Sequence, residues 1–99
     1  MSGGFVGILS CELHFPASHS LKEKRHHLRS AKQRLQNMGA AVAEVDHHEV
    51  WQRSRLTLSY VAREYREVER LLDEAERYLA SREWELATVE RRVVDPDDD

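Results

Sequence analysis

The chain has 99 residues, of which 40% are apolar and 33% are charged, and its formal charge is −3. This length suits one domain with one modest core, and the composition is that of a folded globular protein rather than a disordered one. The net charge excludes a nucleic-acid binder that works by bulk positive charge, and no stretch approaches the ~20 apolar residues that span a bilayer. The single cysteine, Cys11, excludes an intrachain disulfide and predicts a small buried side chain within its apolar run.

The N-terminal segment MSGGFVGILSCEL has no basic region, and glycine, serine and glutamate interrupt its apolar run. We therefore predict no signal peptide and a cytoplasmic location. The charge is distributed unevenly, because residues 1–39 carry six Lys or Arg and two Glu, a balance of +4, which leaves −7 for residues 40–99. This asymmetry predicts a local basic surface that meets a partner.

The first part of the chain predicts a strand followed by a helix. Alternating apolar side chains predict a strand over residues 5–15. Residues 20–38 predict a helix, because Ser20 and Glu23 have the spacing of a capping box and Gly39 supplies a C-terminal stop. The apolar stripe of this helix consists of Leu21, Leu28, Ala31, Leu35 and Met38.

The remaining chain predicts three more strands and one more helix. Alternation indicates strands at residues 40–46, 55–62 and 84–94, and a helical apolar stripe covers residues 64–82. The members of this second stripe are Val68, Leu71, Leu72, Ala75, Tyr78 and Leu79.

The element order β-α-β-β-α-β predicts a ferredoxin-like α+β fold, with a four-stranded antiparallel sheet and two helices on one face. We assign residues 1–94 to this single domain and the acidic residues 95–99 to a flexible tail. The second face of the sheet is left open or covers a second subunit.

Two segments carry a family pattern. SLKEKR at residues 20–25 has the pattern S-L-K-[DE]-K-R, and residues 43–54 have the pattern A-E-[VI]-x-x-x-[DE]-x-W-Q-R-[AS]. The matching residues of the second segment are Ala43, Glu44, Val45, Glu49, Trp51, Gln52, Arg53 and Ser54. In both segments the chain resembles the YlxP-like family, small bacterial proteins with a domain of unknown function. The resemblance implies a ferredoxin-like fold, and because genes of this family often lie among those for transcription termination and translation initiation, it also implies RNA or the ribosome as partner.

A row of cations on the first helix is the main candidate for a binding site. Lys and Arg recur there at spacings of three, four and three residues, which places them on one exposed stripe beside the apolar one, and Lys24 flanks the buried side. Such a row can follow the phosphates of a nucleic acid. The predicted RNA contacts are Lys22, Lys24, Arg25, Arg29 and Lys32, with Arg53 in support. Two alternatives stay open. Either the cations form a solvated face on which the aliphatic parts of the Lys and Arg side chains cover the edge of the core, or they pair with the acidic half of a neighbouring subunit.

The predicted open face of the sheet suggests a homodimer. Val6 and Ile8 alternate with the core residues of the first strand, so their side chains are predicted on the opposite face of the sheet. Exposed apolar patches commonly mark subunit contacts. We therefore predict pairing of two copies through this face or through a sheet edge. RNA recognition by stacking on the sheet is not favoured, because that mode needs aromatic residues on central strands.

The segment DHHE, between the second and third strands, contains several possible metal ligands. Adjacent histidines on an extended chain point in opposite directions, so His47 and His48 do not converge with Asp46 on one ion. A metal site is therefore not favoured, and no cofactor is predicted.

Trp51, in the same connection, has two interpretations. The favoured one is that the indole closes the end of the core, with Arg53 and Arg55 pointing outward. The alternative is that Trp51 anchors a contact with another molecule, as Trp and Arg often do at interfaces.

An acid/base enzyme would need titratable groups that converge in a pocket. Glu12, His14, Glu44 and Asp46 share a parity within their strands, but such alternation is ordinary in a half-solvated sheet. No Gly-rich phosphate loop or nucleophile motif is present, so we predict that the protein is not an enzyme. The sequence favours a binding module for RNA or a ribosomal assembly, with a homodimeric interaction protein as the alternative.

Overall fold

The computed structural model describes residues 3–80 and 84–98. Its elements in chain order are β1 (Phe5–His14), α1 (Leu21–Asn37), β2 (Ala41–Asp46), β3 (Arg53–Ala62), α2 (Tyr65–Ala80) and β4 (Glu85–Val94). The strands form one antiparallel sheet in the order β2-β3-β1-β4. Both helices contribute to one core on one face of this sheet, which confirms the ferredoxin-like α+β fold. We call the opposite surface of the sheet the open face.

The strict alternation of β1 determines which side chains enter the core. Leu9, Cys11 and Leu13 are completely buried, whereas their neighbours along the strand are only half-buried. Because successive side chains of a strand point to opposite faces, the half-buried set lies on the open face. Complete burial raises the pKa of the Cys11 thiol to about 11, so the thiol stays protonated at neutral pH. Cys11 is therefore the small buried side chain that the sequence predicts.

Local signals set the ends of α1. The Ser20 hydroxyl accepts a hydrogen bond from the Glu23 backbone N–H at 3.1 Å, and the Glu23 carboxylate accepts one from the His19 N–H at 2.9 Å. The return bond therefore reaches the residue before the N-cap rather than the N-cap itself. Gly39 follows the helix with φ of +99°, a left-handed conformation that favours glycine.

Both helices bury the stripes that their sequences predict. Leu28, Ala31 and Leu35 of α1 are buried, while Leu21 and Met38 at its ends are partly exposed. In α2 the fully buried side chains are Val68, Leu72, Ala75 and Leu79. Burying each Leu or Val contributes roughly 1.5–3 kcal/mol, so these two stripes supply a large part of the driving force for folding.

The structure differs from the predicted boundaries at a few places. β3 begins at Arg53, two residues earlier than expected, because the β1–β3 ladder continues to the pair His14–Arg53. The predicted end of the second helix, at residues 81–82, lies outside the described residues. In the acidic tail, Asp97 accepts a hydrogen bond from the Gly3 N–H at 2.6 Å. Within the described ranges, neither helix is long and apolar enough to cross a membrane.

Gly7 of β1 lies directly against side chains of α2. A methyl group at Gly7 would overlap the Val68 side chain and lie 3.1 Å from Leu72 Cδ1. We expect Gly7→Ala to lower the free energy of unfolding by about 1–3 kcal/mol in chemical denaturation, because the core is already filled. Gly3→Ala is the control, since a methyl there meets only the exposed Asp97 carboxylate. Equal losses in both variants would contradict the close-packing argument.

Candidate nucleic-acid interface

Four of the predicted contact residues form a row along α1, which we call the basic stripe. Its members are Lys22, Arg25, Arg29 and Lys32. The first three are exposed and the fourth is half-buried. Across the part of the chain that the structure describes, none of the four comes within 4.0 Å of a carboxylate oxygen. The stripe therefore offers positive charge that its own protein does not neutralise.

The basic stripe borders a shallow groove between α1 and the edge strand β2. The groove has a volume of about 330 Å³ and is lined by Arg25, Leu28, Arg29, Lys32, Gln33, Gln36 and Glu44. Glu44 is the one anion of this lining, and its carboxylate already accepts bonds from Lys24 and Ser54. The groove consequently combines free cations and amide groups with a carboxylate that is already paired.

Lys24 does not belong to this surface, which corrects its predicted role as an RNA contact. The side chain is completely buried. Its ammonium donates to Glu44 Oε2 at 3.1 Å. It also donates to the backbone carbonyl oxygens of His47 at 2.7 Å, His48 at 3.3 Å and Arg53 at 3.2 Å. An ammonium held in this way is enclosed by the protein and cannot reach a phosphate.

The burial of Lys24 follows from its position in the helical repeat. Leu21, Lys24, Leu28, Ala31 and Leu35 are spaced three, four, three and four residues apart, so Lys24 occupies a core position of the apolar stripe. A buried cation is tolerated only when it is paired and hydrogen-bonded, and the four acceptors supply that compensation. The spacing in the sequence therefore indicates a core position for Lys24, whereas the prediction placed it beside the buried stripe.

Lys24 fixes the connection between β2 and β3. The His47 carbonyl accepts from the Lys24 ammonium and also from the Val50 N–H, at 3.2 Å, which closes a turn. His47 has φ of +66°, a left-handed conformation that is uncommon for residues other than glycine. Gln52 joins this connection to β1, because its carbonyl accepts from the Phe15 N–H at 2.8 Å. The connection is thus held at several backbone atoms.

Trp51 protrudes from this connection, and the prediction that it closes the core is wrong. Its exposed fraction is 52%. The indole that closes the core belongs to Trp84, which is buried, packs against Phe15 at 5.8 Å between ring centroids and donates from Nε1 to the Leu79 carbonyl at 2.8 Å. Trp84 sits directly before β4, where a buried carbonyl from the end of α2 satisfies its polar atom.

Arg53 lies on the open face, so the structure separates it from the basic stripe and corrects its predicted support of that stripe. It pairs with His14 in the β1–β3 ladder, and its buried neighbour Ser54 points to the helices. Residues that alternate along a strand occupy opposite faces. The guanidinium of Arg53 therefore projects from the side of the sheet that α1 does not cover.

The open face carries a charged cluster around Glu12. Its carboxylate lies 3.3 Å from His47 Nε2 and 3.6 Å from His14 Nε2. Arg55 Nη1 is 3.9 Å away, and Arg55 Nη2 also contacts Glu90 at 3.2 Å. The hydrogen bond from His47 is the main cause that holds the pKa of Glu12 below its usual value, with the charge of Arg53 acting in the same direction.

The predicted acid/base grouping comes together only in part. Glu12 and His14 are neighbours, and Asp46 Oδ1 lies 3.9 Å from His47 Nδ1. Glu44 lies on the other face with Lys24. Among residues 3–80 and 84–98, no three His, Cys, Asp or Glu side chains are arranged to hold a metal ion. His48 is exposed and does not join the cluster.

At its other end the open face carries apolar side chains on β1 and β3, with Arg92 of β4 beside Ile8. Val6 and Ile8 are half-buried there, and Val61, which pairs with Val6, has an exposed fraction of 72%. The patch that the sequence predicts at Val6 and Ile8 therefore exists on the surface of the single chain.

Removing the buried ammonium tests its structural role. We expect Lys24→Met to lower the free energy of unfolding by about 3 kcal/mol or more, because it leaves the Glu44 carboxylate unpaired inside the protein. Lys24→Met combined with Glu44→Gln should recover part of this loss, since no buried charge remains. Urea denaturation measures both. Lys22→Met, on the exposed side of α1, is the control, and an equally small effect of Lys24→Met would contradict the role assigned to the ammonium.

The lowered pKa of Glu12 makes its contribution to stability depend on pH. The folded chain binds fewer protons at this site than the unfolded chain. In the unfolded chain the glutamate has its ordinary pKa of about 4.3. The stabilisation is therefore complete above that pH and is lost as the pH falls through the lower folded-state pKa. We expect Glu12→Gln to be less stable than the natural chain at neutral pH, with a difference that shrinks in acid. A difference that stays constant in denaturation curves across this range would contradict the linkage.

Comparison with known proteins gives a family but no activity. A family model described as "Protein of unknown function (DUF503)" matches residues 6–93. A search of curated proteins found no match. Among solved structures, the chain is similar to "De novo designed protein Ferredog-Diesel", with 20% identity and a TM-score of 0.48 over 91% of this chain and 87% of that one. The family model spans most of the sequence, and the chain therefore belongs to the DUF503 family of proteins of unknown function.

Proposed function

We propose that this protein is a non-enzymatic RNA-binding module of the cytoplasm, and that the basic stripe of α1 is its contact surface. The observation that carries the proposal is a row of four cations on α1, three of which line one groove and none of which pairs with a carboxylate among the described residues. Their spacing of three, four and three residues puts them on one side of a rigid helix. A row of this kind matches a row of backbone phosphates.

The binding energy would come mainly from electrostatics. Each phosphate that a Lys or Arg neutralises releases condensed counterions, so the logarithm of the affinity falls linearly with the logarithm of the salt concentration. Four contacts to single-stranded RNA correspond to a slope of about −3. This value distinguishes binding by the whole stripe from binding by one or two scattered cations.

The rest of the groove favours RNA over other polyanions. Gln33 and Gln36 place amide groups beside Arg29 and Lys32. An amide both donates and accepts hydrogen bonds, and the RNA 2′-hydroxyl also does both. The likeness of residues 20–25 and 43–54 to YlxP-like proteins remains a prediction, and it points in the same direction.

The charge of the other helix would orient the ligand. Arg91 of β4 lies 2.7 Å from Asp73, 3.6 Å from Glu69 and 3.6 Å from Glu76. Three carboxylates of α2 thus surround a single guanidinium, which leaves the surface of α2 negative. A polyanion approaching the helical side of the domain is repelled there and directed to α1.

The test uses charge reversal within the stripe. We expect Arg25→Glu combined with Arg29→Glu to weaken binding to purified ribosomal RNA and to a labelled oligouridylate by about 100-fold or more, because two attractive contacts become repulsive. Filter binding over a range of salt concentrations measures the affinity and its slope.

The matched control is Arg66→Glu combined with Arg77→Glu, two exposed residues of α2 that change the net charge equally. This control should bind RNA like the natural chain. Unchanged affinity in the stripe variant, with circular dichroism showing a folded protein, would contradict the proposal. Equal weakening in both variants would also contradict it, because only net charge would then matter.

A further inference from the structure

We propose that the open face binds a second copy of this chain, about a two-fold axis that runs along the strands between β1 and β3. The proposal is independent of RNA binding, because the basic stripe lies on the opposite side of the sheet. It rests on the order in which apolar, neutral and charged side chains follow one another along the open face.

The open face is organised in layers across the two central strands. The β1–β3 ladder places Val6 beside Val61, Ser10 beside Thr57 and Glu12 beside Arg55. The Ser10 and Thr57 hydroxyls are hydrogen-bonded at 3.0 Å. The face therefore passes from an apolar end, through a neutral middle, to a charged end.

The outer strands follow this order only in part, because β4 places Arg92 beside Ile8 and Glu90 beside Ser10. Val94 of β4 pairs with Val6 and extends the apolar end. Ala41 and Ala43 of β2 pair with Ser59 and Thr57, so they flank the upper and middle layers with small side chains. The middle layer therefore carries small side chains on β1, β2 and β3, with Glu90 at the edge on β4.

The area of the face suits a dimer. Strands lie about 4.8 Å apart and rise about 3.3 Å per residue, so four strands, three with 10 residues and one with 6, cover about 570 Å². Two such faces in contact bury about 1,100 Å² in this flat approximation. This area lies just above the ~1,000 Å² that a biological interface needs.

Two identical sheets with aligned strands can stack face to face about either of two axes. An axis across the strands reverses the layers, so that Val6 and Val61 of one copy would lie over the charged end of the other. The charged groups around Glu12 would then lose water against valine without gaining a partner from the second copy, which is unfavourable. Self-association in this orientation is therefore excluded by charge.

An axis along the strands exchanges β1 with β3 and keeps each layer of these two strands opposite its own kind. Val6 then faces Val61 of the second copy, and Ser10 faces Thr57 of the second copy. In the charged layer, Glu12 faces Arg55 of the second copy, and Arg55 faces Glu12 in return. Each contact occurs twice, as an isologous dimer requires.

Packed sheets cross at about 30°, so side chains near the centre of the contact stay in register while those farther along or across the sheets diverge. The matching layers lie on β1 and β3, which flank the axis. Glu12 and Arg55 already lie 3.9 Å apart within one chain, so the second copy's pair completes a group of four alternating charges. Charge complementarity therefore selects a second copy of this chain as the occupant.

Charge reversal gives a test that only this axis satisfies. We expect the natural chain to have twice its monomer mass of 11.6 kDa in sedimentation equilibrium. E12R alone opposes cations across the axis and R55E alone opposes anions, so each variant should dissociate about 100-fold more readily. An equal mixture of E12R and R55E should form a mixed dimer in native mass spectrometry, because every contact across the axis then joins opposite charges.

Two further variants guard against misfolding and non-specific effects. Val61→Glu changes a side chain that is 72% exposed and should give a folded monomer, as shown by circular dichroism and mass. Arg66→Glu on α2 should remain a dimer. A monomeric natural chain, dimeric E12R and R55E, or a mixture that forms no mixed dimer would each overturn the proposed axis.

Discussion

The ammonium of Lys24 joins three parts of the chain that are distant in sequence: the first helix, the second strand and the connection into the third. Its contacts with Glu44 and with the His47, His48 and Arg53 carbonyls replace the water that a charged group loses on burial. The same contacts hold a turn that would otherwise have few internal partners. The charge of the basic groove depends on this arrangement, because Glu44 lines the groove and its carboxylate is paired with the buried Lys24 ammonium.

The domain separates its charges by face. On the helical side, α1 carries cations that pair with no carboxylate of the described residues, whereas α2 has a carboxylate-rich surface. This layer is therefore positive at one helix and negative at the other. The open face carries both signs at one end and apolar side chains at the other. A protein with a net charge of −3 can therefore present a local positive surface, and the average composition conceals it. The proposed RNA contact and the proposed self-association use opposite faces, so the two proposals are compatible with each other.

Most of the fold could be predicted from the sequence because its signals are local. Each signal is formed by residues that are close together in the sequence. Examples are the alternation of apolar residues in β1, the capping residues of α1 and the apolar stripe of α2. The candidate site was harder, because burial of a cation is decided by acceptors from other elements. Lys24 stands in the helical repeat of leucines, yet only the folded β2–β3 connection supplies its three carbonyl partners. The faces of Arg53 and Arg55 likewise depend on where β3 begins.

The two tryptophans show the same limit and also give the molecule a useful optical property. The sequence favours Trp51 as the indole that closes the core, but the structure buries Trp84, and both stand beside strands among polar residues. Because Trp84 is enclosed by Phe15 and Tyr78 while Trp51 stands in water, their fluorescence differs in colour and in access to dissolved quenchers. The domain thus carries one natural reporter for its interior and a second for the loop that Lys24 holds, without any added dye.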